Sequence, residues 1–582
     1  MRRLFFLTLT LFLIARVQPA GIARGDEVAD ALLRLVPPDA GMTLLVENLQ
    51  ENARRFFEST ISNELGALPT VRAWRASERG QGLQLAKRQI EKVIGEKIAT
   101  LRDELLGDAF ALVLHLNPDE MPDQAHGLLL ARVRNKALLD RVIQEFNSAQ
   151  IRKGEIARVV PKSWRGVGYF ARVHQDPTRP TEFYATLDQT FAWSNSEKVL
   201  QGVLERHADA APGLAQSDRF RRVRDKLPRN AALSLFVDAG FVRRSLAAAP
   251  QQKRSANEER VVAIFERYLG ALEYAGAAVE WNDGIALQIE ESLRADRLDP
   301  WIRAWADCGT KTNPDMLRVP STALAVGNLY VDFPAFLQAV ESVIPEEGRT
   351  KYGNLLEAMK GVLLGRDLRK EILPYLGPGV LAYLEAPQKG DSAPGLPFVV
   401  SVDVGGDSRV GVAIENALRT LLAFYALDDK QAAPGPTLQT QQIQGARVTS
   451  LRPVSPFAFT VTGGRLVLGR SPESVARACG QGPSSSLAAL RAAYFPDKAS
   501  FACFDLTALK STAELHRTDL VKRLASQNRR SEEAQARDLD QVLCLIGLFR
   551  AAYVTSAMTP DATSVHRTAG LIARDPTPGP NR

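Results

Sequence analysis

The sequence predicts an α+β protein made of two tandem copies of one unit, each a mainly antiparallel sheet covered by helices. Three observations predict it. Six segments recur in the same order along the 582 residues, displaced by about 265 to 285 positions, which is the signature of an internal repeat. Short stretches bounded by turn residues alternate apolar and polar side chains, the period of a half-buried strand. Longer stretches between them repeat apolar residues every three or four positions, the period of a helix with one buried face. Tight turns between successive strands favour α+β over a doubly wound parallel sheet, whose strands need helical crossovers.

The chain opens with Arg2 and Arg3 followed by an apolar run from Leu4 to Ala15, the pattern of a secretory signal and too short to span a bilayer comfortably. Small residues at Ala20, Gly21 and Ala23 supply a cut, so residues 1–23 are expected to be the signal peptide; an uncleaved membrane anchor is the second reading. No Cys closely follows the apolar run, which speaks against a lipid-modified N-terminus. The expected place is outside the cytoplasm, periplasmic or extracellular.

The first recurring segment runs from Val36-Pro37 through Val46-Glu47-Asn48-Leu49 to Phe56, matched by Val319-Pro320 through Val326-Gly327-Asn328-Leu329 to Phe336. Each reads as a strand entering a helix. A long amphipathic helix follows, with Ile90, Ile94, Ile98, Leu101 and Leu105 in the first copy and Leu355, Met359, Leu363 and Leu368 in the second. Leu106-Gly107-Asp108 then precedes a strand from Ala109 to Leu116, and Leu376-Gly377-Pro378 one from Val380 to Leu384; each Gly suits a left-handed helix terminus. Strand and helix pairs come next, 128–133 with 136–146 and 398–402 with 410–425.

Short hairpin strands follow around 167–173, 183–187 and 190–193, answered by 447–451, 458–462 and 465–468, with Gly463-Gly464 as a tight turn. Ser194-Asn195-Ser196-Glu197 and Gly469-Arg470-Ser471-Pro472-Glu473 each open a helix, the hydroxyl capping free amide protons and the acid suiting the helix dipole. Strands at 233–238 and 501–505 come after helices carrying Phe220 and Leu490. The last match is a helix and hairpin, 274–281 and 285–291 about Asn282-Asp283-Gly284, against 552–558 and 564–572 about Pro560-Asp561-Ala562. The copies are placed at 36–294 and 318–574, with a linker at 295–317, exposed loops at 388–397 and 428–436, and a loose tail at 575–582.

The net charge of +7 is a mild excess over this length with no concentrated block, so no nucleic-acid partner is expected. Arginine outnumbers lysine by roughly three to one, which favours bidentate contacts with carboxylate, phosphate or sulfate groups. Cys308, Cys479, Cys503 and Cys544 contain no C-x-x-C pair; Cys503 in a strand and Cys479 on an apolar helix face read as small buried hydrophobes. No nucleophile elbow, S-x-x-K pair, H-E-x-x-H or Walker A loop occurs. His115, His126, His174, His207, His516 and His566 show no metal-binding spacing on a helix. No catalytic, cofactor-binding or metal-binding residue is assigned and no cofactor is expected.

Three patterns invite a functional reading and admit a plainer one. Gly166 to Ala171 and Gly377 to Ala382 fit G-x-G-x-x-A, but each opens into a strand where a dinucleotide site needs a helix, so both read as turns. Asn48, Asp238, Asp332 and Asp505 stand where a strand turns into a helix; they would hold a cation if they converged, and read as N-caps otherwise. Arg219, Arg221, Arg222, Arg224 and Lys226, with Arg243 and Arg244, suggest a site for anionic lipid or polysaccharide, against a plain solvated face.

Leu373 to Gly377 before a strand, Gly463 to Glu473 before a helix, and the two Val-Pro starts resemble a family of uncharacterised exported bacterial proteins known only as a domain of unknown function. The first copy departs from this pattern, with Phe191 to Asn195 in place of the Val-Leu-Gly-Arg-Ser stretch. The resemblance implies export and the repeated fold, and brings no activity. The expected function is a non-enzymatic envelope protein that binds or scaffolds an envelope protein, polysaccharide or lipid; a carrier of an apolar or lipid-like ligand and an enzyme with an unfamiliar site are the alternatives.

Overall fold

The computed structural model describes residues 25–574 apart from 117–123, 209–210, 230, 249–255, 282–283, 301, 305–318, 343, 388–396, 429–436, 453–454, 456, 481–484 and 499. The signal at 1–23, the tail at 575–582, Cys308, most of the linker, nearly all of the two exposed loops and the Asn282-Asp283 turn lie outside the described residues. The chain divides into two compact units, the second spanning Ala295–Ile572. Both are α+β with a large antiparallel sheet.

The first unit carries β1 (Met42–Glu47), β2 (Ala109–His115), β3 (His126–Arg132), β4 (Ile156–Trp164), β5 (Val167–His174), β6 (Glu182–Leu187), β7 (Thr190–Ser194), β8 (Leu233–Asp238), β9 (Leu272–Trp281) and β10 (Gly284–Leu293). They pair antiparallel in the order β10-β9-β8-β1-β2-β3-β7-β6-β5-β4. Side chains two apart along these strands, among them Leu45, Val113, Leu128, Leu130, Ala185 and Phe236, form one face of the core with the helices Gly25–Leu35, Glu197–His207 and Asp218–Arg224. Burying each Leu there stabilises the unit by about 1.5–3 kcal/mol. Part of the opposite face is covered by Leu101, Leu105, Leu138 and Leu139 from the helices Ile98–Leu105 and Lys136–Arg152.

The second unit carries β11 (Ala323–Tyr330), β12 (Leu376–Glu385), β13 (Phe398–Val404), β14 (Thr437–Ile443), β15 (Ala446–Arg452), β16 (Ala458–Thr462), β17 (Arg465–Gly469), β18 (Ser500–Asp505), β19 (Phe549–Met558) and β20 (Ser564–Ala573). Their order is β20-β19-β18-β11-β12-β13-β17-β16-β15-β14. Strand for strand, this is the pairing order of the first unit. Val326, Leu381, Val399, Val467, Phe501 and Cys503 pack with the helices Pro472–Cys479 and Ser486–Tyr494 on one face. Val410, Ala413 and Ile414 of the helix Ser408–Asp428 cover part of the other.

Several local expectations are corrected. The long amphipathic helix of each unit is broken: Glu78–Ile94 stops at Gly95, whose φ of 77° only glycine adopts freely, before Ile98–Leu105 begins. Glu346–Val362 likewise ends ahead of Leu364 and Gly365, both with positive φ. Gly107 is not left-handed. A Cβ there would sit 2.1 Å from the Asp103 carbonyl oxygen, so close approach of the helix end is what demands glycine. Gly377 does have a positive φ of 82°, but it lies inside β12.

The match of Asn48 with Asn328 is also displaced. Met42 pairs with Val237, the residue before the helix-capping Asp238, and Ala325 pairs with Phe504, the residue before the helix-capping Asp505. Met42 and Ala325 therefore hold the same ladder position. Asn328 then stands where Leu45 stands, inside a strand, while Asn48 follows β1. A slip of three residues turns a side chain to the opposite sheet face, and only the pairing reveals it.

Candidate functional site

Most residues singled out from the sequence are absorbed by the fold. Asp238, Asp332 and Asp505 accept backbone N–H bonds from Phe241 at 2.9 Å, Ala335 at 2.8 Å and Ala508 at 2.8 Å, each three residues on, as N-caps do. Asn48 is the exception: its backbone is left-handed, with φ 48°, and its side chain makes no cap bond. Among the described residues no group of three His, Cys, Asp or Glu side chains converges as a metal site. Both G-x-G-x-x-A stretches lead into strands, β5 and β12. Arg165 and Gly166, both with positive φ, form the two-residue turn between β4 and β5.

The basic cluster is largely paired within the protein rather than left as a plain solvated face. Arg219 pairs with Asp238 and donates to the Pro38 carbonyl, Arg221 pairs with Asp218 at 2.6 Å, and Arg222 with Glu273 at 2.8 Å. Arg224, 2% exposed, meets Glu47, 1% exposed, at 3.0 Å. Lys226 reaches the buried Glu290 at 3.0 Å, and Arg243 donates to the Leu269 and Leu272 carbonyls. Helical spacing spreads Arg219 to Arg224 around the helix, so each finds a different partner, buried for Arg224 and at the surface for Arg221.

The histidines are dispersed. His174 faces Glu182 at 3.3 Å, His207 faces Asp188 at 3.4 Å, and His566 contacts Thr568 at 3.2 Å. Cys479, Cys503 and Cys544 are not joined in disulfides. Cys503 is fully buried, and burial pushes its thiol up to about 12, which makes it an inert core residue.

The site with chemistry left over is a cleft of about 340 Å³ in the first unit, which the sequence patterns did not single out. Its floor is built by the helix Glu197–His207, capped by Ser196. Lys198, Gln201, Gly202, Glu205 and Arg206 follow the helical spacing of one face, while Leu200, Val203 and Leu204 on the other enter the core and Val199 borders both. The last residue of β2, His115, the last residue of β4, Trp164, and the segment Pro37-Pro38-Asp39 ahead of β1 complete the walls.

Its electrostatics are uneven. His115 is buried and its Nδ1 lies 3.6 Å from Asp39. Glu205 is engaged by Arg165 at 3.2 Å, whose guanidinium lies over the Trp164 ring. Arg206 Nε donates to the Leu35 carbonyl at 2.7 Å, but its buried Nη2 has no protein partner, and neither has the buried indole N–H of Trp164. Burial lowers the Arg206 guanidinium to about 10 against the opposing pull of Asp39 and Glu205. Both residues line the same recess, each with one buried donor that the protein leaves without an acceptor. The polar stripe on this helix, interrupted by a glycine, was the signal in the sequence.

At the same ladder position the second unit carries an ion pair. The register that makes Leu114 and Leu384 equivalent puts Glu385 where His115 stands, and the capping serines Ser196 and Ser471 put Arg477 where Gly202 stands. Glu385, 0% exposed, receives Arg477 Nη2 at 2.6 Å and Nε at 3.2 Å. A second recess in the first unit, about 380 Å³, lies between the helix Lys136–Arg152 and β4–β6, lined by Ile143, Asn147, Ile151, Phe170 and Tyr184. Comparison of the chain with protein-family models, with characterised proteins and with solved structures gives no match.

Proposed function

We propose that this chain is an exported, non-enzymatic binding protein of the cell envelope, built from two tandem copies of one unit, and that the first copy keeps a ligand cleft the second has filled with its own side chains. Membership of the exported family that the Val-Pro and Gly-Arg-Ser-Pro-Glu motifs resemble is part of the same reading. The observation that carries it is the pair of positions His115 and Gly202 in one unit against Glu385 and Arg477 in the other. An ion pair fills such a position with side-chain atoms, whereas a histidine and a glycine leave room for a recess. A volume of about 340 Å³ falls within the range of small-molecule sites.

The double substitution His115→Glu with Gly202→Arg transplants the second unit's closure into the first. In a thermal-shift screen of small metabolites against the full mature chain, ligands are expected to raise the Tm of the wild type and leave the double variant unmoved. A screen with no hits, or with hits acting equally on both proteins, sinks the reading. The apolar-carrier alternative draws on the second recess: Ile143→Trp, which fills it, is expected to abolish uptake of a fluorescent fatty acid if that reading is correct.

A further inference from the structure

The two units differ in one chemically specific way at the cleft. In the second unit a buried carboxylate, Glu385, is gripped by the guanidinium of Arg477 through Nε at 3.2 Å and Nη2 at 2.6 Å. In the first, His115 has removed the carboxylate, but the guanidinium is retained from elsewhere. Gly202 has no side chain, and Arg206, one turn further along the helix, lays its head over it: a Cβ at Gly202 would sit 3.3 Å from both Arg206 Nη1 and Nη2. The first unit has a guanidinium at this place but no carboxylate gripping it through hydrogen bonds.

What remains is a set of donors. Arg206 Nη2 and the Trp164 indole N–H are buried without protein partners, and Lys198 stands exposed at the same cleft. Of the nearby carboxylates, Glu205 pairs with Arg165 at 3.2 Å and Asp39 stands 3.6 Å from His115 Nδ1; both attract the Arg206 guanidinium through space, and neither hydrogen-bonds it. A buried guanidinium without a hydrogen-bonded counterion is costly, and a planar oxyanion matches its fork. Asp39 and Gln201 add groups able to bond a hydroxyl or amino substituent.

We infer that the cleft binds a small hydroxy- or amino-carboxylic acid, whose carboxylate is received by the Arg206 guanidinium where it lies over Gly202, beside the indole of Trp164. This rests on the reading of the cleft as a binding site and names the ligand class.

The test titrates the full mature chain with lactate, inorganic phosphate and glycerol, following heat of binding. Lactate binds the wild type; Arg206→Met weakens it at least about tenfold and Trp164→Phe by a smaller factor, as the loss of charge-assisted and neutral hydrogen bonds requires. Arg206→Lys, which keeps the charge and loses the fork, also weakens binding, and serves if the Met variant does not fold. Lactate binding that is unchanged in both Arg206 variants overturns the inference. Phosphate binding more tightly than lactate with the same dependence on Arg206 overturns the carboxylate. Failure of lactate and phosphate alike overturns an anionic ligand. If uncharged ligands from the screen are still lost on His115→Glu with Gly202→Arg, the binding reading stands while this one falls.

Discussion

Glu47 and Arg224 meet 3.0 Å apart with almost no exposure, although Glu47 ends a strand and Arg224 closes a helix far along the chain. Removing one partner leaves the other charge stranded in the core, so Glu47→Gln is expected to lower the unfolding free energy by about 3–5 kcal/mol, read from urea melts. Cys503 behaves oppositely, as a neutral group held neutral. Its folded thiol titrates near 12 against an ordinary 9.0, so its stabilising contribution is complete below pH 9 and is lost as pH rises towards 12. Cys503→Ala is expected to flatten that alkaline fall in stability. In thiol labelling at neutral pH, the exposed Cys544 should react promptly and Cys503 only on unfolding; equal rates would contradict the core role.

At the scale of elements, the strand-to-helix carboxylates separate by what else they hold. Asp505 caps the helix Leu506–Leu515 and also meets Ser486 at 2.9 Å, a light load. Asp505→Ala is expected to cost about 1 kcal/mol, the value of a lost cap. Asp238 caps its helix and neutralises Arg219, which is also tied to the Pro38 carbonyl; Asp238→Ala should cost distinctly more in the same melts. Gly107→Ala forces a methyl against the Asp103 carbonyl and is expected to destabilise by ~2 kcal/mol. Turns were the most legible features: Gly463-Gly464, with φ 57° and 73°, joins β16 to β17 as the residue types require. The helix breaks at Gly95 and Leu364 were not legible, because apolar periodicity runs through them and only the axis changes.

For the whole molecule, the proposal of export makes a direct prediction. The chain recovered from the periplasm of an expressing cell should begin between residues 21 and 24, and replacing Leu7 and Leu11 with Arg should hold the full-length chain in the cytoplasm, since the apolar run is what the export machinery reads. N-terminal sequencing or mass measurement decides it. Among the described residues no helix is long and apolar enough to cross a membrane. The pairing order shared strand for strand by the two units is what tandem duplication proposes, and it shows where comparison by sequence slips: the Val-x-Asn-Leu strings at Asn48 and Asn328 look equivalent, yet the ladders align Asn328 with Leu45.

By itself the sequence did not show β4 and β14, whereas the α+β class, most strands and hairpins, and the helix caps at Asp238, Asp332, Asp505, Ser196 and Ser471 were legible in it. These depend on periodicity and on backbone preferences within a few residues. The tertiary structure alone decided the strand order and register, the conversion of a basic cluster into internal ion pairs, and the cleft where His115, Trp164 and Arg206 meet. Those depend on which side chains are buried together across more than 90 positions of chain, and burial of a charge or an unpaired donor is a property of the assembled neighbours, which no local pattern encodes.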